Sequence, residues 1–93
     1  MRTHREYLKK QLRDKEFAEA FRREKRKLRI AYEIHAARTR NGLTQLDLAT
    51  KAGVTQQMVS RIETASEPNM AYGTVCKIAN ALDMDVGLVP KNQ

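Results

Sequence analysis

The sequence is poor in the residues that mark secreted, disulfide-stabilised or membrane proteins. It has one cysteine, two prolines and no tryptophan among 93 residues. The single Cys76 cannot form an internal disulfide, which fits a reducing cytoplasm. No apolar run approaches the length of a membrane span or a signal-peptide core, and the N-terminus is charged throughout. We therefore expect one soluble, cytoplasmic domain with a modest core.

The residue groupings that catalysis requires are also missing. His4 and His35 are isolated, Cys76 has no neighbouring histidine, and the chain shows neither metal-ligand spacing nor a glycine-rich phosphate loop. We expect both histidines to lie on helix surfaces. The sequence therefore predicts no enzyme, no bound metal and no cofactor.

Positive charge is concentrated at one end of the chain. The formal net charge is +7, and residues 1–29 hold twelve Lys or Arg against five Asp or Glu, whereas residues 30–93 hold six of each. Basic amphipathic helices can bind DNA, RNA or anionic membranes, so a membrane-binding or RNA-binding arm is a further alternative. The basic segment therefore needs an explanation separate from that of the remaining residues.

The most informative segment covers residues 45–64, QLDLATKAGVTQQMVSRIET. Its small residues predict two short helices that cross around a tight turn: Ala49 permits a close approach of the helices, and Gly53 permits a positive φ in the turn. Thr44 and Thr55 each precede a helix as N-caps, and Asp47 completes a variant of the capping box. The apolar positions expected in the core are Leu48, Ala52, Val54, Val59 and Ile62.

The second of these helices has a polar face that suits base recognition. Gln56 with Ser60, and Gln57 with Arg61, are i, i+4 pairs opposite the apolar positions. Glutamine can hydrogen-bond adenine at N6 and N7, and arginine can pair with guanine O6 and N7 in the major groove. A helical hairpin that serves packing only is the alternative.

The stretch LTQLDLATKAGVTQQMVSRIE resembles the helix-turn-helix of the Cro/repressor (XRE) family, which includes the lambdoid phage repressors. The resemblance implies an all-α, lambda-repressor-like bundle that binds operator DNA in the major groove, with Gln45 holding a phosphate. Thr55, Gln56, Gln57 and Arg61 match the DNA-contacting positions of that family. The candidate DNA-binding residues are Gln45, Thr55, Gln56, Gln57, Ser60 and Arg61.

Residues 1–27 are interpreted as a basic, amphipathic helical arm. Tyr7, Leu8 and Leu12 have the spacing of an apolar stripe, and Phe17 and Phe21 continue the helical spacing as one long helix or a second one. The wholly polar run RREKRK favours a boundary near residue 27, with the DNA-binding domain over residues 28–83.

Residues 84–93 are interpreted as a C-terminal strand and tail. MDVGLV loses the helical period, is rich in β-forming residues and ends at Pro90. A lone strand is unstable, so we expect it to pair with a second copy in a homodimer or with another protein.

The order LKKQLRDKEFAEAF, repressor-like motif and MDVGLVPK resembles the HigA-type antitoxins of type II toxin–antitoxin modules. That resemblance implies an antitoxin that neutralises a RelE-like, mRNA-cleaving toxin of the HigB type and represses their operon as a dimer. The candidate toxin-binding residues are Tyr7, Leu8, Leu12, Phe17 and Phe21. The alternative is a stand-alone XRE-type transcriptional repressor whose basic arm contacts DNA. Compared with the antitoxin interpretation, this alternative accounts better for the basic arm and less well for the C-terminal strand.

Overall fold

A computed structural model describes residues 4–90, so the first and last residues of the predicted arm and tail lie outside the described part. Within that range the chain forms four helices. They are α1 His4–Arg40, α2 Gln45–Ala52, α3 Gln56–Glu63 and α4 Tyr72–Ala81. The expected all-α bundle is therefore confirmed for the described residues, while the expected strand is not seen.

The core lies where the C-terminal third of α1 meets the three short helices. Helix α3 packs against α1 and α2, and α2 packs against α4. Leu48, Val59, Ile62 and Ile78 are completely buried, as the apolar spacing predicts. The buried cluster consists of Ile34, Ala37, Leu48, Ala49, Val59, Ile62, Ile78, Ala81 and Leu82. Burial of these side chains supplies the main favourable free energy of folding.

Local capping interactions set the limits of α2 and α3. The Thr44 hydroxyl accepts a hydrogen bond from the Asp47 amide at 3.0 Å, and the Asp47 carboxylate accepts one from the Thr44 amide at 2.9 Å. The Thr55 hydroxyl accepts the Met58 amide at 3.1 Å. Gly53 ends α2 with φ +72°, in the left-handed region that favours glycine. These local features agree with the sequence interpretation.

Helix α1 is a single helix of 37 residues. At about 1.5 Å per residue it is about 55 Å long, and it accounts for most of the 60 Å length of the molecule. It continues through Lys27 without a break, so of the two alternatives one long helix is correct. Ala31 is the first buried residue of α1, after the partly buried Ile30 that packs against the core, and most residues before them are exposed. The assignment of a domain boundary at residue 27 stays a prediction.

The predicted strand over residues 84–89 is wrong for the described chain. Met84 packs against the core, its amide donating to the Ala79 carbonyl at 2.9 Å, and the chain then continues in irregular conformation. Val86 and Leu88 are exposed, at 39% and 103%. The physical reason is that a strand needs a neighbour for its backbone hydrogen bonds, and residues 4–90 provide no other strand. β-propensity alone therefore did not produce a strand here.

Two glycine substitutions should have opposite effects on stability. Gly53→Ala should lower the free energy of unfolding by about 1–2 kcal/mol, because φ is +72° although no atom lies within 4 Å of the added Cβ. Gly73→Ala is the matched control: the site lies within α4 and is equally open, so alanine should raise stability by about 0.5 kcal/mol. Urea unfolding followed by circular dichroism measures both. Equal changes of one sign would contradict the assigned turn.

Candidate DNA-recognition site

Helix α3 presents one apolar and one polar face. Val59 and Ile62 on the inner face have no exposed surface. On the outer face Gln56, Gln57 and Arg61 are exposed, and Ser60 is half-buried. The structure thus brings together four of the predicted DNA-binding residues on one solvent-facing surface. Their roles in base recognition stay a prediction.

The N-termini of α2 and α3 are the next candidates for contacts with DNA phosphates. The first backbone N–H groups of a helix lack intrahelical acceptors and attract anions such as phosphate. Thr55 lies exposed at the start of α3, where its hydroxyl already accepts one of these N–H groups. At the start of α2, hydrogen bonds from the Thr44 backbone and side chain lower the pKa of Asp47. The carboxylate of Asp47 therefore stays charged and supports the helix start.

The carboxylate of Glu63, at the end of α3, fixes this helix to α1. It accepts two hydrogen bonds from the Arg38 guanidinium, from Nε at 2.6 Å and from Nη2 at 3.0 Å. His35 Nδ1 lies 2.9 Å from the same carboxylate. The Glu63 side chain is only 3% exposed and that of Arg38 12%. This ion pair is therefore largely withdrawn from water and geometrically constrained.

Arg38 also holds the connection between α1 and α2. Its Nη1 donates to the Leu43 carbonyl at 2.7 Å, one residue before the Thr44 cap. The hydrogen bond to Glu63 raises the pKa of Arg38. Burial acts to raise the pKa of Glu63, but the hydrogen bonds from Arg38 and His35 outweigh burial and leave that pKa below its ordinary value. The pair is therefore ionised at neutral pH.

Gln45 has a different environment from the one expected. Gln45 is half-buried and helps to lower the pKa of the Glu63 carboxylate, which places its side chain near that carboxylate. A phosphate contact by Gln45 stays a prediction. Sequence reasoning missed the Arg38–Glu63 pair because the two residues lie 25 positions apart and each occurs among other charged residues. Only the crossing of α1 and α3 brings them together.

Arg61 has an acidic neighbour that the sequence interpretation also missed. Its Nη1 lies 3.9 Å from Oε2 of Glu67, in the turn after α3. The Arg61 side chain is 48% exposed and that of Glu67 is 13% exposed. Oε2 of Glu67 is the one buried side-chain polar atom in residues 4–90 without a hydrogen-bond partner. The predicted base-reading arginine therefore lies beside a shielded carboxylate.

A helix-turn-helix family model matches residues 34–89, the bundle together with most of the C-terminal segment. The chain belongs to the XRE-type helix-turn-helix family. It is also 35% identical, over 63 residues, to an uncharacterized HTH-type transcriptional regulator of Sinorhizobium fredii. That match covers 67% of this chain and 31% of the relative, so the chain spans about a third of the relative's length. No solved structure matches the chain.

Outside the helix-turn-helix domain, α1 carries a row of exposed apolar side chains. At about 100° per residue, Phe17, Phe21, Leu28 and Tyr32 project within about 60° of one another, on a side of α1 that does not face the core. Their side chains are between 57% and 73% exposed. We call these four residues the outer stripe. The Lys25 ammonium lies 5.9 Å from the centre of the Phe21 ring, as in a cation–π contact.

The five predicted toxin-binding residues do not share one face of α1. Phe17 and Phe21 belong to the outer stripe, and Tyr7 projects near the same direction. Leu8 and Leu12 project towards the side that, farther along the helix, faces the core. All five are exposed. The arm therefore offers two separate apolar surfaces rather than one.

Residues 4–90 contain no group of three His, Cys, Asp or Glu side chains arranged to hold a metal ion. None of the described helices is both long and apolar enough to cross a membrane.

Replacing Glu63 tests the ion pair through its pH dependence. At pH 7, Glu63→Gln should lower the free energy of unfolding by about 3 kcal/mol, because it leaves Arg38 without its counter-charge in a largely buried site. The pKa of Glu63 is lowered from 4.5 in the folded protein, so its stabilisation is complete above pH 4.5 and is lost as the pH falls through the lower, folded value. The difference between the wild type and the variant should therefore shrink below pH 4.5.

Urea unfolding at a series of pH values gives this difference. Glu33→Gln is the matched control, since it breaks an exposed pair with Arg29 at 3.3 Å and should cost less than about 0.5 kcal/mol. An equal loss in both variants, or a loss at Glu63 that does not change with pH, would show that the pair does not hold α3.

Proposed function

We propose that this protein is a sequence-specific DNA-binding transcriptional repressor that inserts α3 into the major groove. The observation that carries the proposal is the division of α3 into a buried apolar face and a polar face, with Gln56, Gln57 and Arg61 exposed and Ser60 half-buried. The major groove admits one α-helix, and these side chains match the acceptors and donors of adenine and guanine. The family membership and the regulator from S. fredii support the same function.

The fixed orientation of α3 adds to this support. A helix reads bases only if its side chains are held in register with the base edges, since phosphate contacts position a protein and base contacts specify the sequence. Glu63, bound by Arg38, holds the end of α3, and Thr55 caps its start. We assign phosphate contacts to Thr55 and Gln45, at the starts of α3 and α2. The proposal includes no catalytic activity and no cofactor, and it implies a cytoplasmic location.

The finer proposal for α1 is that it binds a protein partner, as in an antitoxin. Four large apolar side chains on the outer stripe, exposed at 57% to 73%, are costly to leave in water without a partner and are typical of interaction surfaces. The resemblance to HigA-type antitoxins implies that the partner is a RelE-like, mRNA-cleaving toxin of the HigB type. On this proposal, α1 neutralises the toxin and α3 represses the shared operon.

A second candidate function rests on charge. Residues 1–29 carry the whole net charge of +7, and a basic helix beside a DNA-binding domain can contact flanking phosphates. The protein would then be a stand-alone repressor with an extended DNA footprint. A strongly basic toxin would also be repelled by this arm, unless apolar or acidic residues make the contact.

Homodimer formation belongs to the same proposal. Val86, Leu88 and Val89 are exposed in the C-terminal segment, and Leu88 has its full surface in water. Pairing with the same segment of a second copy would supply the backbone partners that a strand needs.

Truncation of the base-reading side chains tests the DNA proposal. Gln57→Ala and Arg61→Ala should each weaken binding to a duplex selected by the protein by about 1–3 kcal/mol, because each removes a direct contact to a base edge. Lys77→Ala is the control: it removes one positive charge from an exposed position on α4 and should change affinity little. Fluorescence anisotropy measures the affinities, and circular dichroism checks the fold. Unchanged affinity in both α3 variants would remove these residues from base recognition.

The two candidate functions of the arm predict effects in different double variants. If α1 binds a toxin, Phe17→Ala/Phe21→Ala should abolish co-purification of a stoichiometric small protein encoded next to this gene, with DNA affinity within about twofold. If α1 binds DNA, Arg22→Ala/Lys25→Ala should instead reduce the slope of log affinity against log salt by about 2.

Leu8→Ala/Leu12→Ala is the matched control for the aromatic pair, since it removes two exposed apolar side chains from the other surface of α1. If the partner protein is lost only from Phe17→Ala/Phe21→Ala, the partner binds the outer stripe. A chain purified from its native host with no protein partner, whatever the variant, would overturn the antitoxin proposal and leave the stand-alone repressor.

A further inference from the structure

Glu67 is an acidic residue with an unusual environment beside the proposed DNA surface. Its side chain is only 13% exposed, and its Oε2 has no hydrogen-bond partner. The cation facing it is Arg61, whose Nη1 lies at 3.9 Å. That distance is too long for a hydrogen bond, although it is an ion-pair distance. A buried carboxylate oxygen without a hydrogen bond is costly, and such atoms call for an explanation.

The backbone places Glu67 beside Arg61 independently of this ion pair. The amides of Ser66 and Glu67 donate to the Arg61 carbonyl at 2.8 Å and 3.2 Å. Ala65, between α3 and these amides, has φ +57°, which turns the chain back towards the helix. The turn thus returns to Arg61, and main-chain hydrogen bonds fix the backbone of Glu67 beside it.

The charge of Glu67 affects how Arg61 meets DNA. An exposed arginine can bind either a phosphate or the guanine edge, and only the second contact carries sequence information. A largely buried carboxylate beside the guanidinium restricts its orientation and repels an approaching phosphate. The long distance of 3.9 Å leaves the N–H groups of Arg61 available for a base.

We propose that Glu67 is a positioning residue for base recognition: it directs Arg61 towards a base edge and away from the phosphates. This inference rests on the proposed DNA-binding function, and it adds a specificity-determining residue that lies outside α3. Glu67 itself contacts no base.

The test is a double-mutant cycle read out by sequence preference. Wild type, Glu67→Gln, Arg61→Ala and the double variant each select duplexes from a random library, and sequencing gives the preference at every position. Glu67→Gln should reduce preference at the one position that Arg61→Ala also changes. It should also raise affinity for random-sequence duplex about threefold and steepen the salt dependence by about one unit of slope, because Arg61 gains a phosphate contact.

Three controls separate this role from a structural one. Glu33→Gln removes the same charge from an exposed Arg–Glu pair on α1 and should leave preference unchanged. Glu67→Asp keeps the charge and should keep the wild-type salt slope. In the Arg61→Ala background, Glu67→Gln should have no further effect on preference. Thermal unfolding checks that each variant is folded.

Each outcome decides the proposal. A wild-type motif and salt slope in Glu67→Gln would overturn the role of Glu67 while leaving the DNA-binding function intact. An effect that persists without Arg61, or a uniform loss of preference at all positions, would assign Glu67 to the fold instead. A wild-type chain that selects no motif would overturn the proposed function, and this inference with it.

Discussion

The orientation of α3 depends on the ion pair between Glu63 and Arg38. The Glu63 carboxylate lies at the end of α3 and accepts two hydrogen bonds from Arg38 on α1. Apolar burial of Val59 and Ile62 is non-directional, so it holds α3 against the bundle without fixing its rotation. A bidentate ion pair at 2.6 Å and 3.0 Å is directional. The combination explains how a helix of eight residues can present a defined polar face.

The same pair links the domain to the arm, since Arg38 belongs to the long helix that begins at His4. Because α1 continues without a break, a partner bound along the outer stripe would be held in a defined direction relative to α3. Any effect of that partner on DNA binding would then be steric or electrostatic, without requiring a hinge. The helix-turn-helix part carries little net charge, whereas the arm is strongly basic. If the protein binds DNA as proposed, long-range attraction would come mainly from the arm and base discrimination from α3.

Local features were predictable from the sequence, and long-range ones were not. Thr44, Thr55 and Gly53 act through neighbours within four residues, so their patterns alone were sufficient. The Arg38–Glu63 pair depends on how α1 and α3 cross, and the charged residues of this chain allow many such pairings. The error over residues 84–89 has a related cause: β-propensity was read correctly, but a strand depends on a partner that the single chain does not provide. Tyr7, Leu8, Leu12, Phe17 and Phe21 are exposed on one continuous helix, and their role in toxin binding stays a prediction.

The central claim is that the exposed face of α3 meets DNA. The most direct test is backbone amide NMR of the protein titrated with a duplex that it has itself selected from a random library. The account predicts the largest shifts at the start of α2 and over Thr55, Gln57 and Arg61, with the buried positions of α1 and α4 nearly unchanged. Shifts confined to the basic residues of α1, with α3 unaffected, would contradict it.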